Sequence, residues 1–287
     1  MRKAKKALLY CLLVCVLFWL IFPLFWTFLS SITIDKEQYT YYFRFPQHLT
    51  FDRYLSLLIG AEKLLGQSGS GETLKAFKYG MFNSAFVSIV VALICLVIGT
   101  TAAYAFARLK FWAKNVTFSF IVGLRMVPIV MLMIPLFLMV NAFNLLDTKT
   151  ALIGMYSSFT LPLVILIMKN FFEKVPLELE ESAKIDGCGT MDILIRIVLP
   201  ISLPGLISAL TIAFITAWSE FALALTITNS LNSKTLPVIM AEFVGRQGMD
   251  YGMLSTGAII SSIPILVIAL IAQKYIVEGL TMGGVKE

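Results

Sequence analysis

The sequence predicts an all-α membrane protein with six transmembrane helices and both termini on the inner side of the membrane. Of its 287 residues, 59% are hydrophobic and only 14% are charged, whereas an ordinary soluble domain carries about 25% charged residues. The mean hydropathy of +0.87 is typical of membrane spans. The charged residues are also confined to segments between long apolar runs. These observations exclude a water-soluble fold.

Six apolar runs are each long enough to cross about 30 Å of hydrocarbon as a helix of roughly 20 residues. Charge-free stretches separate Lys6 from Asp35, Lys78 from Arg108, Lys149 from Lys169, Arg196 from Glu220 and Asp250 from Lys274, and only Arg125 interrupts a sixth stretch from Lys114 to Asp147. We therefore expect spans near 8–31, 82–107, 116–140, 151–172, 204–226 and 255–274. The first apolar run exceeds the length of a signal peptide's core and is predicted to be a retained helix.

The distribution of basic residues predicts the orientation. With the N-terminus inside, inner segments carry 13 Lys and Arg and outer segments carry nine, six of them in one long outer loop at 32–81. The Lys and Arg count of short loops determines orientation, and the long outer loop contributes little, so the short segments favour both termini inside. The net charge of +6 is therefore interpreted as membrane orientation and not as a nucleic-acid surface. The four cysteines and the single histidine form no pattern of a disulfide framework or a metal site.

The longest predicted inner segment, residues 173–203, has the signals of two short helices, and we call it the two-helix loop. Pro176 suits a first helical position, and Gly187 can adopt the left-handed conformation that ends a helix, so we expect a helix over about 176–186. Thr190 is predicted to cap a second helix with Asp192 in its first turn, and Pro200 is expected beyond its end.

This loop resembles the EAA loop of binding-protein-dependent ABC importer permeases. The matching residues are Glu181-Ser182-Ala183, Asp186-Gly187 and Ile197-Val198-Leu199-Pro200, with Ser182 in place of the family's middle Ala. Other stretches are similar to the carbohydrate, maltose-type subgroup: 103–109, 126–128, 144–148, 218–221 and 279–286. That subgroup commonly has Asn where Ser219 stands and Gln where Arg125 stands.

The resemblance implies a non-enzymatic subunit of a prokaryotic cytoplasmic-membrane importer. Its partners would be a homologous second permease, two copies of an ATPase that bind ATP and Mg, and an extracytoplasmic sugar-binding protein. ATPase-coupling residues carried over from the motif are Glu181, Ser182, Ala183, Asp186, Gly187, Ile197, Leu199 and Pro200. The acids at 178–186 are expected to pair with basic residues of the ATPase, and the tail residues Gly283, Gly284 and Lys286 are candidate further contacts.

The resemblance also implies a division of the chain into three parts. These are 1–81 for the N-terminal tail, first helix and outer loop, 82–280 for the permease core, and 281–287 for the tail.

Candidates for the sugar pathway are ionisable, aromatic and amide side chains within the predicted spans. Ionisable groups in a span usually face a bundle interior or a wet cavity because exposing a charge to lipid is costly. We therefore single out Glu220, Trp218, Phe221, Asn141 and Arg125. The interaction of Arg125 with Glu220 and the identity of the sugar remain open at this point. Two alternatives also remain: an ABC importer for another polar solute such as glycerol phosphate, and a secondary transporter or channel that works without ATPase partners.

Overall fold

The computed structural model describes residues 2–34, 46, 48–59, 71–245 and 248–281. It is helical, apart from one short hairpin, as the sequence predicts. The elements are α1 (Arg2–Ser31), α2 (Asp52–Ile59), α3 (Gly71–Arg108), α4 (Lys114–Gly123), a 3₁₀ turn (Leu124–Met126), α5 (Ile129–Ala142), α6 (Lys149–Phe172), α7 (Leu177–Ile185), α8 (Thr190–Ile193), a π-helical segment (Leu194–Val198), α9 (Leu199–Ile201), α10 (Leu203–Trp218), α11 (Ala222–Ile227), α12 (Leu236–Glu242), β1 (Val244–Gly245), β2 (Gly248–Met249) and α13 (Tyr251–Thr281). Strands β1 and β2 pair antiparallel, with Val244 opposite Met249.

Four helices are long and apolar enough to cross a membrane: Leu9–Ser31 within α1, α3, α6, and Tyr251–Tyr275 within α13. Two further spans result if each of two pairs of consecutive helices, bent at a short break, is counted as one span. The first pair is Lys114–Met126 with Ile129–Ala142, bent by 98°, and the second is Thr190–Ile201 with Leu203–Trp218, bent by 85°. The described residues therefore contain four to six candidate spans, as a multi-pass membrane protein requires.

Two predicted spans are not continuous helices. The predicted span 116–140 is interrupted at Val127, which is extended with φ −72° and ψ 121°, because the ring of the following Pro128 disfavours a helical conformation there. The predicted span 204–226 is interrupted between Trp218, where α10 ends, and Ala222, where α11 begins. By contrast, Pro23, Pro135, Pro162 and Pro264 lie within helices.

The described residues divide into two compact units, one from 1–78 with 239–263 and the other from 79–238 with 264–287. In the first unit, the buried Arg53 of α2 donates hydrogen bonds to the carbonyl oxygens of Ser31, at 3.2 Å, and Thr33, at 2.7 Å. Thr256 of α13 also donates to the Ser31 carbonyl, at 3.2 Å. The unit is thus organised around the end of α1.

In the second unit, α6 packs against α10. The close approach depends on glycine, because a Cβ at Gly205 would overlap the ring of Phe171. Gly99 of α3 likewise lies against Val164, which is fully buried. Small residues in membrane helices commonly let neighbouring helices pack this closely. These contacts bring the ends of α3 and α6 to the base of the two-helix loop.

Candidate functional site

The first half of the two-helix loop is a helix that ends at a left-handed glycine, as predicted, but Pro176 lies one position before its first helical residue, Leu177. Helix α7 has Pro176 at its N-cap and ends at Ile185. Gly187 has a φ of 85°. The Cys188 amide donates to the Ala183 carbonyl at 2.9 Å, and the Gly187 amide donates to the Lys184 carbonyl at 3.1 Å. This pair of bonds is a Schellman motif, which satisfies carbonyls at the helix end and sets a defined turn.

The second half differs from its prediction in two details. The N-cap is Gly189, with φ −73° and ψ 162°, and Thr190 is the first helical residue. Pro200 lies inside α9 and not beyond the end of the helical run. A proline has no N–H to donate to the carbonyl of Arg196 four residues earlier. The π-helical segment Leu194–Val198 ends just before this proline. In a π-helix the N–H groups bond carbonyls five residues earlier, so the hydrogen-bond pattern changes here.

The predicted coupling residues differ in exposure. Glu181, Ser182, Asp186, Gly187 and Pro200 are exposed, Ile197 and Leu199 are half-buried, and Ala183 is buried. Ala183 therefore supports the loop from within, and the exposed residues remain the ones open to a partner. The motif did not indicate that apolar side chains are also strongly exposed on this loop, among them Ile185 at 87%, Met191 at 59% and Ile195 at 58%.

A buried ion pair joins the two-helix loop to the end of α3. Glu180 of α7 is 2% exposed, and its Oε1 lies 2.6 Å from Nε of Arg108. Tyr104 donates its hydroxyl to the other carboxylate oxygen at 2.9 Å. Arg108 also donates to the Val175 carbonyl at 2.6 Å. Both carboxylate oxygens are bonded, which a buried charge requires.

This arrangement corrects one expectation about the acids at 178–186. Glu180 is held by Arg108 of its own chain and does not face a partner, whereas Glu178, Glu181 and Asp186 are exposed. The sequence contained a signal for the pair, because Tyr104 and Arg108 lie within a stretch similar to the carbohydrate permeases. Nothing in the spacing along the chain joined that stretch to Glu180, 72 residues away from Arg108.

Two of the predicted pathway residues have clear structural contacts. Glu220 lies at the break between α10 and α11, where its carboxylate accepts the amides of Leu223 at 2.9 Å and Ala224 at 3.3 Å. It therefore caps α11. Trp218 is 4% exposed and stacks on Phe214 with 5.6 Å between ring centroids. The Trp218 face is packed within the chain and is not open for stacking on a sugar.

The other three pathway candidates are exposed: Arg125 in the 3₁₀ turn, Asn141 near the end of α5, and Phe221. Within the described ranges, no ion pair joins Arg125 to Glu220. The structure thus does not bring the five candidates together into one cluster of contacts. The predicted tail contacts Gly283, Gly284 and Lys286 lie outside the described residues.

A second polar cluster, which the sequence reasoning did not assign, is centred on Asp147. Its Oδ1 accepts the amides of Asn229 at 2.8 Å and Ser230 at 2.9 Å, and also the hydroxyl of Ser233. Partial burial opposes ionisation, but these hydrogen bonds outweigh it and hold the pKa of Asp147 well below its usual range. The cluster fixes the connection between α5 and α6 to segment 228–236.

The described residues thus form a helical membrane protein in which a folded two-helix loop joins α6 to α10. Residues 95–282, about two thirds of the chain, match the family of binding-protein-dependent transport system inner membrane components. The chain belongs to this family. The resemblance stated from the EAA motif is thereby confirmed.

Its relatives include transport permeases named for sugars. The chain is 33% identical to the sulfoquinovosyl glycerol transport system permease protein SmoH of Agrobacterium fabrum, over 93% of this chain and 89% of that protein. It is 35% identical to the trehalose transport system permease protein SugB of Mycobacterium tuberculosis, over 84% of each. It is 37% identical to the trehalose/maltose transport system permease protein MalG of Thermococcus litoralis, over 71% of this chain and 74% of that protein.

A solved structure shares the fold. A chain of a bacterial ABC transporter involved in the import of the acidic polysaccharide alginate aligns with a TM-score of 0.75 and 19% identity. The alignment covers 95% of this chain and 96% of that chain.

Proposed function

We propose that this chain is a transmembrane permease subunit of an ATP-driven ABC importer for sugars and forms half of the translocation pathway. The family membership and the sugar permeases among its relatives support the proposal. The observation that carries it furthest is the two-helix loop, which is capped, anchored by a buried ion pair and exposes both acids and large apolar side chains. A passive connector between spans needs none of these features.

In this proposal the two-helix loop docks on an ATPase subunit. Its exposed coupling residues and the apolar side chains beside them form the contact. ATP and Mg bind to two ATPase subunits, and this chain binds no nucleotide and performs no bond chemistry. The docked loop converts closure of the ATPase pair into a population shift of the permease between inward-open and outward-open states. A homologous second permease and an extracytoplasmic sugar-binding protein complete the complex.

The test is a reconstituted complex with and without a damaged loop surface. The chain is co-purified with its ATPase subunits and second permease, placed in proteoliposomes, and assayed for ATPase activity with the sugar-loaded binding protein. Ile185→Glu places a charge on an 87% exposed apolar side chain of the loop, and Ile59→Glu makes the same change on α2, where Ile59 is 72% exposed. We expect only Ile185→Glu to abolish stimulated ATPase activity and uptake. Equal uptake by both variants would refute the docking role.

The same assay identifies the solute and separates the alternatives. Trehalose, maltose, a sulfoquinovosyl glycerol, an alginate oligosaccharide and glycerol phosphate are offered in turn. Stimulation by glycerol phosphate alone would replace the sugar assignment with another polar solute. Uptake that persists without ATPase subunits or ATP would instead identify a secondary transporter or channel.

The proposed topology is six spans with both termini inside, so the two-helix loop faces the cytosol. Cys188 is an exposed thiol in that loop, whereas Cys95 is buried. A membrane-impermeant maleimide should therefore label inside-out vesicles at Cys188 and leave right-side-out vesicles unlabelled there. Cys188→Ser is the control that assigns the label. Labelling of Cys188 in right-side-out vesicles would reverse the orientation.

Two further roles belong to the proposal. Glu220, which is half-buried, lines the sugar pathway together with the exposed Phe221, Asn141 and Arg125. Residues Gly283, Gly284 and Lys286 of the tail touch the ATPase pair. Deletion of residues 280–287 tests the tail, and unchanged stimulated ATPase activity in the truncated complex would contradict that role.

A further inference from the structure

The stretch of α3 from Asn83 to Arg108 is attached at both of its ends by buried side chains, and the proposed function uses only the attachment at the two-helix loop. At one end, Arg108 and Tyr104 hold Glu180 of the two-helix loop. At the other end, Asn83 is fully buried, and its side-chain amide donates to the carbonyls of Leu231 at 2.9 Å and Lys234 at 2.8 Å.

A second contact strengthens the end at Asn83. The neighbouring Ser84 accepts the Leu236 amide on its hydroxyl oxygen at 2.8 Å. Segment 228–236 is therefore bonded to α3 at three of its backbone groups, and Asp147 binds the same segment from the α5–α6 connection. The Leu236 amide is buried and the two carbonyls are part-buried, so breaking these bonds leaves backbone groups poorly supplied with other partners, which is costly. The segment is thus constrained to follow α3.

The helix between the two attachments is suited to transmit movement. From Asn83 to Arg108 it is a single α-helix without proline. At 1.5 Å per residue these 25 steps along the sequence span about 37 Å, which is enough to cross the membrane. Gly99 lets its middle lie directly against Val164 of α6. A hydrogen-bonded helix packed in this way moves as a unit, because its interior does not deform continuously.

We infer that α3 acts as a rigid helix that transmits the movement of the two-helix loop at one membrane face to segment 228–236 at the other. Arg108, Tyr104 and Glu180 are positioning residues at the loop end, and Asn83 is the positioning residue at the far end. This inference rests on the proposed function, since the loop moves only when an ATPase drives it. It assigns Asn83 a part in ATPase coupling although it lies about 37 Å from the loop.

The test compares isosteric variants at the two ends of α3 with matched controls. Glu180→Gln keeps the side-chain shape and removes the charge that Arg108 pairs with. Asn83→Asp keeps the shape and replaces the amide donors by an oxygen that repels the two carbonyls. Ser88→Ala is the control on α3, because Ser88 is fully buried and its hydroxyl forms no hydrogen bond within the described residues. Glu173→Gln is the control for an exposed ion pair, that of Lys169 with Glu173.

Each variant is purified with its partner subunits, checked for assembly and thermal unfolding, and assayed for basal and sugar-stimulated ATPase activity. We expect Glu180→Gln and Asn83→Asp each to reduce the stimulation factor by about fivefold or more, the lower end of typical couplings between distant sites. Basal activity and assembly should stay unchanged, as should both controls. The stimulation factor of the double variant should be no lower than that of the more affected single variant, because both changes interrupt the same transmitting helix.

Three outcomes would overturn the inference: unchanged stimulation in Asn83→Asp, multiplicative losses in the double variant, or an equal loss in Ser88→Ala. If a variant fails to assemble, Tyr104→Phe and Asn83→Gln are assayed in its place with the same criteria. Failure of the proposed function is recognised separately. In that case Ile185→Glu on the surface of the two-helix loop also leaves stimulation unchanged.

Discussion

The strongest prediction concerns the turn between the two helices of the two-helix loop. Gly187 has a φ of 85°, and no described atom lies within 4 Å of the place where a Cβ would stand. Gly187→Ala therefore meets no steric overlap in the chain, and its effect comes from backbone conformation alone. A left-handed conformation costs an L-residue with a Cβ about 1–2 kcal/mol. The Schellman turn should be weakened by that amount.

The loop should then open more often while the spans stay folded. A loss of about 1–2 kcal/mol raises the population of the open turn roughly 5- to 30-fold. Hydrogen exchange of amides in 177–193, measured by mass spectrometry on the assembled complex, should accelerate by that factor. Sugar-stimulated ATPase activity should fall in parallel, because a loosely held loop transmits less movement. Exchange in α6 and α10 should be unchanged.

A neighbouring glycine provides the control. Gly189 has a φ of −73°, and a Cβ there would lie 3.5 Å from Oδ2 of Asp192, which is an ordinary contact. Gly189 is also the N-cap of α8, where Ser is preferred to Gly and Ala is disfavoured, so the control is Gly189→Ser, which should leave exchange and activity unchanged or slightly improved. Gly187→Asn should be intermediate, since Asn tolerates the left-handed region better than Ala. Equal exchange in Gly187→Ala and Gly189→Ser would refute the reasoning.

Three other predictions follow from contacts in the second unit. Gly205→Ala should destabilise the chain by about 1–3 kcal/mol in thermal unfolding, because the new Cβ overlaps the Phe171 ring. At Gly154 no described atom lies within 4 Å of an added Cβ, so Gly154→Ala should leave the stability of the chain unchanged or raise it by up to about 1 kcal/mol. A Gly205→Ala variant that is more stable than Gly154→Ala would contradict the packing argument. The lowered pKa of Asp147 stabilises the fold above its ordinary pKa near 4, and this stabilisation is lost as the pH falls towards the lowered value. The free energies of unfolding of wild type and Asp147→Asn should thus differ by about 1 kcal/mol at pH 7, and this difference should shrink progressively as the pH falls below about 4, whereas a pH-independent difference would exclude the ionised form as the cause. Glu220→Gln should lower stability by only about 0.5–1 kcal/mol through weaker capping and should alter uptake or sugar preference in proteoliposomes, and unaltered values of both would remove Glu220 from the pathway.

Much of the two-helix loop could be predicted because its signals are local. Pro176 and Gly187 act on the backbone within a turn of themselves, so the bounds of α7 and the left-handed turn follow from residue type. Two details of the second helix differ from the prediction. Residue type predicts Thr190 as its N-cap and Pro200 beyond its end. The chain uses Gly189 as the cap instead and accommodates Pro200 within the helical run, beside the π-helical segment.

The contacts of the pathway candidates do not follow from the sequence, because a polar residue in an apolar run has several possible partners. Its charge within a predicted span indicates Glu220, and the structure adds that the span is interrupted there and that the carboxylate caps α11. The aromatic ring of Trp218 indicates a stacking surface, and the structure adds that Phe214, four residues earlier on the same helix, packs against it. Hydropathy alone does not reveal where a helix breaks or which side of it is buried.

By itself the sequence determined the helical membrane class, the approximate positions of the apolar spans, the capped two-helix loop and the family. All of these depend on composition or on residues close together in the chain, where apolar length and local turn chemistry leave few alternatives. Only the tertiary structure decided that Glu180 is buried against Arg108, that Asn83 and Asp147 hold segment 228–236, and that Ala183 faces inward. These contacts join residues far apart in sequence. Helix packing decides which distant side chains meet, and a local sequence pattern contains no information about that packing.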